Sequence, residues 1–233
     1  MNEDKANVDS LDQTVILGAN PRGSADVKPG LVATLPDGYE FSGHRIDGLI
    51  GIGGFGVVYK ATDLALGRVV ALKEYFPHAM AQRGPSHRVT MQQSRDQATF
   101  QAGMSSFINE ARLLAKFDHT SLVKVFQFWE AHQTAYMSMP YIPGFTLKAS
   151  FEQFGHPVNE QSLTTILCEL ARALSEMHQH RCYHRDISPD NIIMHAETGL
   201  PVLLDFGAAR QAIQNQTHSF TVILKSGYAP VEQ

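Results

Sequence analysis

The stretch HRDISPDN, residues 184–191, sets the carboxylates of Asp186 and Asp190 around a Ser-Pro turn and places the amide of Asn191 five positions after Asp186. Pro189 reads against a helix here, so the segment is expected to be a loop. Three other clusters carry groups able to do chemistry. GIGGFGVVYK at 51–60 contains Gly51, Gly53 and Gly56. Glycines let backbone amides approach an anion closely and accept positive φ. Lys73 stands inside the apolar run VALKEY, where an ammonium needs a counter-charge or a shifted pKa. Asp205 ends the apolar run PVLLD and opens DFG. Asn191 and Asp205 both offer oxygen, which suits Mg²⁺, an ion that keeps much of its water and takes substrate phosphates as further ligands.

Each cluster also has an ordinary reading. G-x-G-x-x-G is shared with dinucleotide-binding turns, which require a helix from the third glycine. Here Val57, Val58 and Tyr59 follow, a β-branched and aromatic run that reads as strand. Lys73 could be a solvent-facing lysine on an edge strand, and Glu110 an exposed helix glutamate. His178, His180 and His184 cluster but lack the cysteine or carboxylate spacing of a metal site, so they read as surface or structural histidines.

The elements that must position these groups are legible as patterns. HRIDGLIG (44–51), GVVYKATD (56–63) and RVVALKEY (68–75) read as three antiparallel strands, and 77–105 as a long polar loop. Phe107, Ala111, Leu114 and Ala115 recur at helical spacing, with Glu110 among them. Strands are expected at 122–130 and 134–142. The clearest helix is 160–180, with Leu163, Ile166, Leu167, Leu170, Leu174 and Met177 in one stripe. Short strands follow at 191–194 and 201–205, while 1–38 reads as a flexible leader. The whole predicts an α+β fold: a five-stranded antiparallel sheet with one helix, then a mainly helical part.

Bulk properties narrow the function. The 233 residues, 43% hydrophobic and 18% charged, suffice for a globular core. A net charge of −4 gives no bulk footprint for nucleic acid or an anionic membrane surface. Two cysteines, Cys168 and Cys182, point to small core residues in a reducing, cytoplasmic setting without a disulfide framework. No transmembrane run and no basic secretory start are read in the chain.

Taken in order, Gly51-x-Gly53-x-x-Gly56-x-Val58, Ala71-Leu72-Lys73, His184-Arg185-Asp186 with Asn191, and Asp205-Phe206-Gly207 resemble the signature of protein kinases. DISPDN and GYAPVEQ point to the eukaryotic-like serine/threonine kinases of bacteria. The resemblance runs from about Tyr39 to Gln233 and implies a kinase N-lobe at 39–142 and part of a C-lobe at 143–233. It implies ATP- and Mg²⁺-dependent transfer of the γ-phosphate to Ser or Thr hydroxyls of protein substrates. Gly51, Ile52, Gly53, Gly54, Phe55 and Gly56 would then cover the phosphates. Lys73 would pair with the α- and β-phosphates and with Glu110, and Asp186 would orient the attacking hydroxyl and take its proton. Asn191 and Asp205 would bind Mg²⁺. Val58, Ala71 and Ile193 would line the adenine pocket behind the gatekeeper Met139, with the Pro140 carbonyl and the Ile142 amide facing the base. Arg185 would seek negative charge on the activation segment, where Thr217, Ser219 and Thr221 are candidate phosphorylation sites.

The sequence departs from the family pattern in three places. Lys73 and Glu110 are 110 − 73 = 37 residues apart, which implies an inserted loop within 77–105. Ser188 stands where these kinases usually carry a Lys on the transferred phosphate, and Lys225 is expected to supply that charge from the activation segment. The chain stops just after Glu232, the counterpart of the A-P-E glutamate, so it is expected to be a fragment. Two rival readings follow: an ATP-binding, pseudokinase-like regulator without catalysis, and a small-molecule kinase.

Overall fold

The computed structural model describes residues 34–154 and 159–205. Strands β1 (Glu40–Phe41), β2 (His44–Gly53), β3 (Gly56–Asp63) and β4 (Arg68–Tyr75) form a meander. A short hairpin follows, β5 (Ala81–Arg83) with β6 (Val89–Met91), then helix α1 (Gln97–Leu114), and strands β7 (Gln127–Ala131) and β8 (Thr134–Pro140) complete the main sheet. Its order is β1-β2-β3-β4-β8-β7, with every pairing antiparallel. The five expected strands are present, and two-residue β1 adds a sixth at the edge. The turns follow from local chemistry. Asp63 Oδ1 accepts from the amides of Ala65 and Leu66, an Asx turn that starts the β3–β4 connection. His132 and Gln133, at φ 51° and 62°, make the left-handed two-residue turn that matches strand twist between β7 and β8.

The two faces of this sheet have different partners. Register places Val58 opposite Lys73, Lys73 opposite Met137 and Ala71 opposite Met139, all on one face. Tyr75 on that face packs against Phe100 and Phe107 of α1, ring centroids 5.0 and 5.9 Å away. The other face carries Glu74, which has no exposed surface. Its carboxylate accepts from the Tyr59 hydroxyl at 2.9 Å and the Tyr136 hydroxyl at 2.7 Å, and pairs with Arg83 of β5 at 2.6 Å. Leu35, within the stretch expected as a leader, is buried in the core, and its amide donates to the Tyr59 hydroxyl.

Two expectations change here. The stretch 77–105 is not one long loop: it holds the β5–β6 hairpin, a 3₁₀ turn at Ser94–Asp96 and the first two turns of α1. Its strands are three residues each, too short to show alternation, and the group that seats the hairpin is a polar one, Arg83. The run from Leu122 is not strand up to Gln127. Leu122 instead makes a parallel bridge to Leu203, and Val123 N donates to Leu203 O, so these apolar residues serve a different sheet.

That second sheet joins β9 (Gly144–Thr146), β10 (Ile192–His195) and β11 (Pro201–Leu203) in the order β11-β10-β9. Helices α2 (Leu147–Phe154) and α3 (Glu160–Gln179) accompany it. Asn159 Oδ1 caps α3 by accepting from Ser162 N at 2.7 Å. Within α3, Ile166, Leu170, Ala173 and Met177 are buried. Leu163 and Leu167 of the expected stripe are 40% and 57% exposed. Cys182 is buried as expected, while Cys168 is exposed, since it lies on the outer side of α3.

Candidate active site

The glycine-rich turn lies between β2 and β3, with Gly53 paired to Gly56 and Gly51 to Val58. Position 56 has no room for a side chain: a Cβ there would stand 2.6 Å from the Glu74 carbonyl oxygen on β4. The third glycine is thus required by backbone packing, whatever the turn binds.

Lys73 projects from the face of β4 that α1 covers. Its Nζ lies 2.5 Å from Asp205 Oδ1 and 3.8 Å from Glu110 Oε1. Glu110 is buried on α1, so the expected carboxylate partner is in place. Burial works against the ammonium, but Asp205, Glu110 and more distant Asp186 outweigh it and hold the Lys73 pKa above the ordinary lysine value. The ammonium stays charged between two carboxylates.

Below α3 the chain turns through Arg181 and Arg185, at φ 55° and 63°. Left-handed backbone at non-glycine residues costs energy and persists where surrounding contacts impose it. His184 is the central contact. Its Nε2 donates to Leu204 O at 2.6 Å, and its Nδ1 accepts from Asp186 N at 3.3 Å. Both bonds are made by one neutral tautomer. Burial pushes the His184 pKa down, against the Leu204 hydrogen bond and the nearby carboxylates of Asp186 and Asp205. Pro189 opens a 3₁₀ turn over Pro189–Asn191, which delivers Asn191 back to Asp186. Asn191 Nδ2 donates to both the carbonyl and Oδ2 of Asp186, each at 2.8 Å. Leu204 N donates to Asn191 O at 2.8 Å, so the loop and the approach to Asp205 are tied on both sides. Asp205 itself sits at φ 26°.

Two groups therefore assemble: Lys73, Glu110 and Asp205 in one, Asp186 and Asn191 in the other, with Leu204 bonded between them. Around Lys73 lie Val58, Ala71 and Met139 on the same sheet face. Ile193 is buried on β10 and pairs with Thr146. Pro140 ends β8, and Ile142 lies in the connection to β9. Ile52 pairs with Val57, and Gly54 and Phe55 form the tip of the turn. The three histidines diverge: His184 points to Leu204, His180 packs edge-on against Phe117, and His178 lies against Tyr183. Ser188 is buried, whereas Lys225, its expected partner, lies outside the described residues, with Phe206, Gly207, Thr217, Ser219 and Thr221.

One contact was not legible in the sequence. Lys148, near the start of α2, pairs with Asp190 of the HRDISPDN loop at 3.3 Å. The two are 190 − 148 = 42 residues apart, and a lysine one position into a short helix carries no signal of a distant partner.

The comparisons with known proteins agree with this geometry. Residues 44–232 match the family model for the protein kinase domain. The serine/threonine-protein kinase PknA of Nostoc sp. is 29% identical over 202 residues, covering 82% of this chain and 33% of that protein. PknD of Mycobacterium tuberculosis is 31% identical over 175 residues, covering 75% of this chain and 23% of its own. PrkC of Bacillus subtilis is 29% identical over 198 residues, or 82% and 28%. The chain thus spans a third or less of the length of these curated relatives. The solved structure described as "PpkA-294 apo form" shares 45% identity at a TM-score of 0.81, covering 86% of this chain and 71% of that one. With four motifs in order, their side chains assembled, and a family match over most of its length, the chain belongs to the protein kinase family and is similar to its bacterial serine/threonine kinases.

Proposed function

We propose that this chain carries the nucleotide-binding and catalytic groups of a serine/threonine protein kinase that transfers the γ-phosphate of ATP to protein hydroxyls. The observation that carries the reading is the placement of Lys73 between Glu110 and Asp205, next to a carboxylate, Asp186, that Asn191 holds in orientation. Phosphoryl transfer asks a protein mainly for positioning and charge stabilisation. In this reading Lys73 meets the phosphates beneath the Gly51–Gly56 turn, and Glu110 fixes its ammonium. Asp186 orients the acceptor hydroxyl and takes its proton as the phosphoryl group leaves ATP. Val58, Ala71, Met139 and Ile193 enclose the adenine, with the Pro140 carbonyl and the Ile142 amide as its polar partners.

The donor set fits Mg²⁺. Asn191 spends its amide NH₂ on Asp186, which leaves its Oδ1 without a partner among the described residues, and Asp205 supplies a carboxylate; hard oxygen ligands of this kind suit the ion. Bound there with ATP, the ion would neutralise charge on the β- and γ-phosphates. Residues 39–142 form the N-lobe in this reading and 143–233 part of a C-lobe. Lys225 supplies from the activation segment the charge absent at Ser188.

Incubation with Mg-ATP and a generic Ser/Thr substrate, read by phosphoamino-acid analysis, tests the reading. Phosphate transfer by the wild type, abolished in Asp186→Ala and Asp205→Ala, is expected. Equal signals in all three would leave an ATP-binding module. Lys225→Ala is expected to lower transfer markedly, and an unchanged rate would end the exchange idea.

A further inference from the structure

Past β4 the backbone continues along the glycine turn instead of leaving it. Phe76 N donates to Phe55 O at 3.0 Å and His78 N to Gly54 O at 3.2 Å. These bonds extend the β3–β4 ladder beyond its last register pair, Gly56 with Tyr75. The His78 ring lies on the same turn. It lies near the backbone of Gly53 and Gly56 and against the Phe76 ring, centroids 5.0 Å apart, and its Nε2 is buried with no partner among the described residues.

The residues after His78 are anchored elsewhere. Gln92 Nε2 donates to the carbonyls of His78 and Ala81, each at 3.3 Å. Arg83 pairs with buried Glu74. Val89 N donates to His132 O in the β7–β8 turn at 2.7 Å. One segment thus joins the tip of the glycine turn to the outer face of the sheet. A glycine-rich turn has the most conformational freedom to lose when it closes on a ligand, and a turn held in advance loses less. The segment's backbone bonds take the carbonyls of Gly54 and Phe55 and not the turn's N–H groups, which an anion would use.

We propose that residues 77–92 are a brace that holds the glycine-rich turn in its nucleotide-binding setting, with His78 as the positioning residue that clasps it. The proposal rests on the phosphoryl-transfer reading above and deepens it. Two variants separate the parts of the clasp: His78→Ala removes the ring, and Pro77→Gly loosens the backbone that presents the His78 amide.

The test titrates Mg²⁺ with a fluorescent N-methylanthraniloyl-ATP into wild type and variants, alongside kinetics with ATP and amide hydrogen exchange. His78→Ala is expected to raise Kd and the KM for ATP about fivefold, as the turn loses the ring packed beside it and must be ordered on binding, with a much smaller change in kcat. His78→Asn, which keeps a shorter polar side chain beside the turn, is expected to recover part of that loss. Pro77→Gly is expected to speed exchange at His78 while leaving the thermal midpoint near the wild-type value. Wild-type nucleotide affinity in both variants, or a fall in kcat without a change in KM, would overturn the brace alone. A wild type that binds no Mg-ATP would overturn the phosphoryl-transfer reading and the brace with it.

Discussion

Lys73 lies closer to Asp205 than to Glu110: its Nζ is 2.5 Å from the first carboxylate and 3.8 Å from the second. Replacement by Met should lower phosphate transfer by about 10²-fold or more, since a preorganised charge at the developing phosphoryl charge is lost. The pH dependence has a fixed sign. A cation whose folded-state pKa is raised contributes stability fully below the ordinary value of 10.5 and loses it as pH rises through the folded value. Denaturant unfolding should therefore show a wild-type advantage over Lys73→Met that is constant from neutral pH to about 10 and shrinks above it.

His184 should make the protein acid-sensitive. Its pKa is pushed below the ordinary 6.5 by burial, so the unfolded chain binds a proton that the folded one refuses. Its contribution is complete above 6.5 and is lost as pH falls from there toward the folded value. Protonation also costs the Nδ1 acceptor of the Asp186 amide. His184→Gln should flatten part of the stability-versus-pH slope below 6.5. A residual slope is expected, because burial also depresses the pKa of His78 and His132.

The Arg83–Glu74 pair should be costly to break and cheap to remove. Both side chains are almost entirely out of solvent, at 1% and 0% exposure. Arg83→Met strands a buried carboxylate and should cost about 3–5 kcal/mol in chemical denaturation. Adding Glu74→Gln, which removes the stranded charge, keeps one oxygen acceptor for a tyrosine hydroxyl and offers its NH₂ to the oxygen of the other, should recover much of that loss. A double variant no better than the single one would mean that the hairpin's own packing carries the stability.

Gly56→Ala should be destabilising even without nucleotide. The added methyl meets the backbone carbonyl of Glu74 at 2.6 Å, and a backbone atom in a sheet has little room to yield. An overpacking cost of about 1–3 kcal/mol is expected, read as a lower Tm, with weakened Mg-ATP binding beside it.

Local pattern and short motif carried most of the site. Lys73 was conspicuous because a cation inside VALKEY breaks an apolar strand, and Glu110 because it shares a helix with an apolar stripe. Asp186 and Asn191 were legible as a pair because Pro189 forces a turn between them. The hairpin at 81–91 was not legible, since three-residue strands show no period and their seating depends on Arg83 finding a carboxylate on another strand. Leu122 and Val123 join a sheet other than the one their apolar run predicts, for a related reason. An apolar run states that it will be buried, not against what.

The sequence by itself determined which groups are available and the order in which a chain of this family presents them, because motif spacing and strand and helix periods are local properties. Only the tertiary structure decided that Lys73 bridges Glu110 and Asp205, that Lys148 holds Asp190, and that the segment after β4 reaches back to Gly54 and Phe55. These are contacts between residues remote in sequence. They depend on how elements stack and on which buried polar group must find a partner, and neither is written in any single window of the chain.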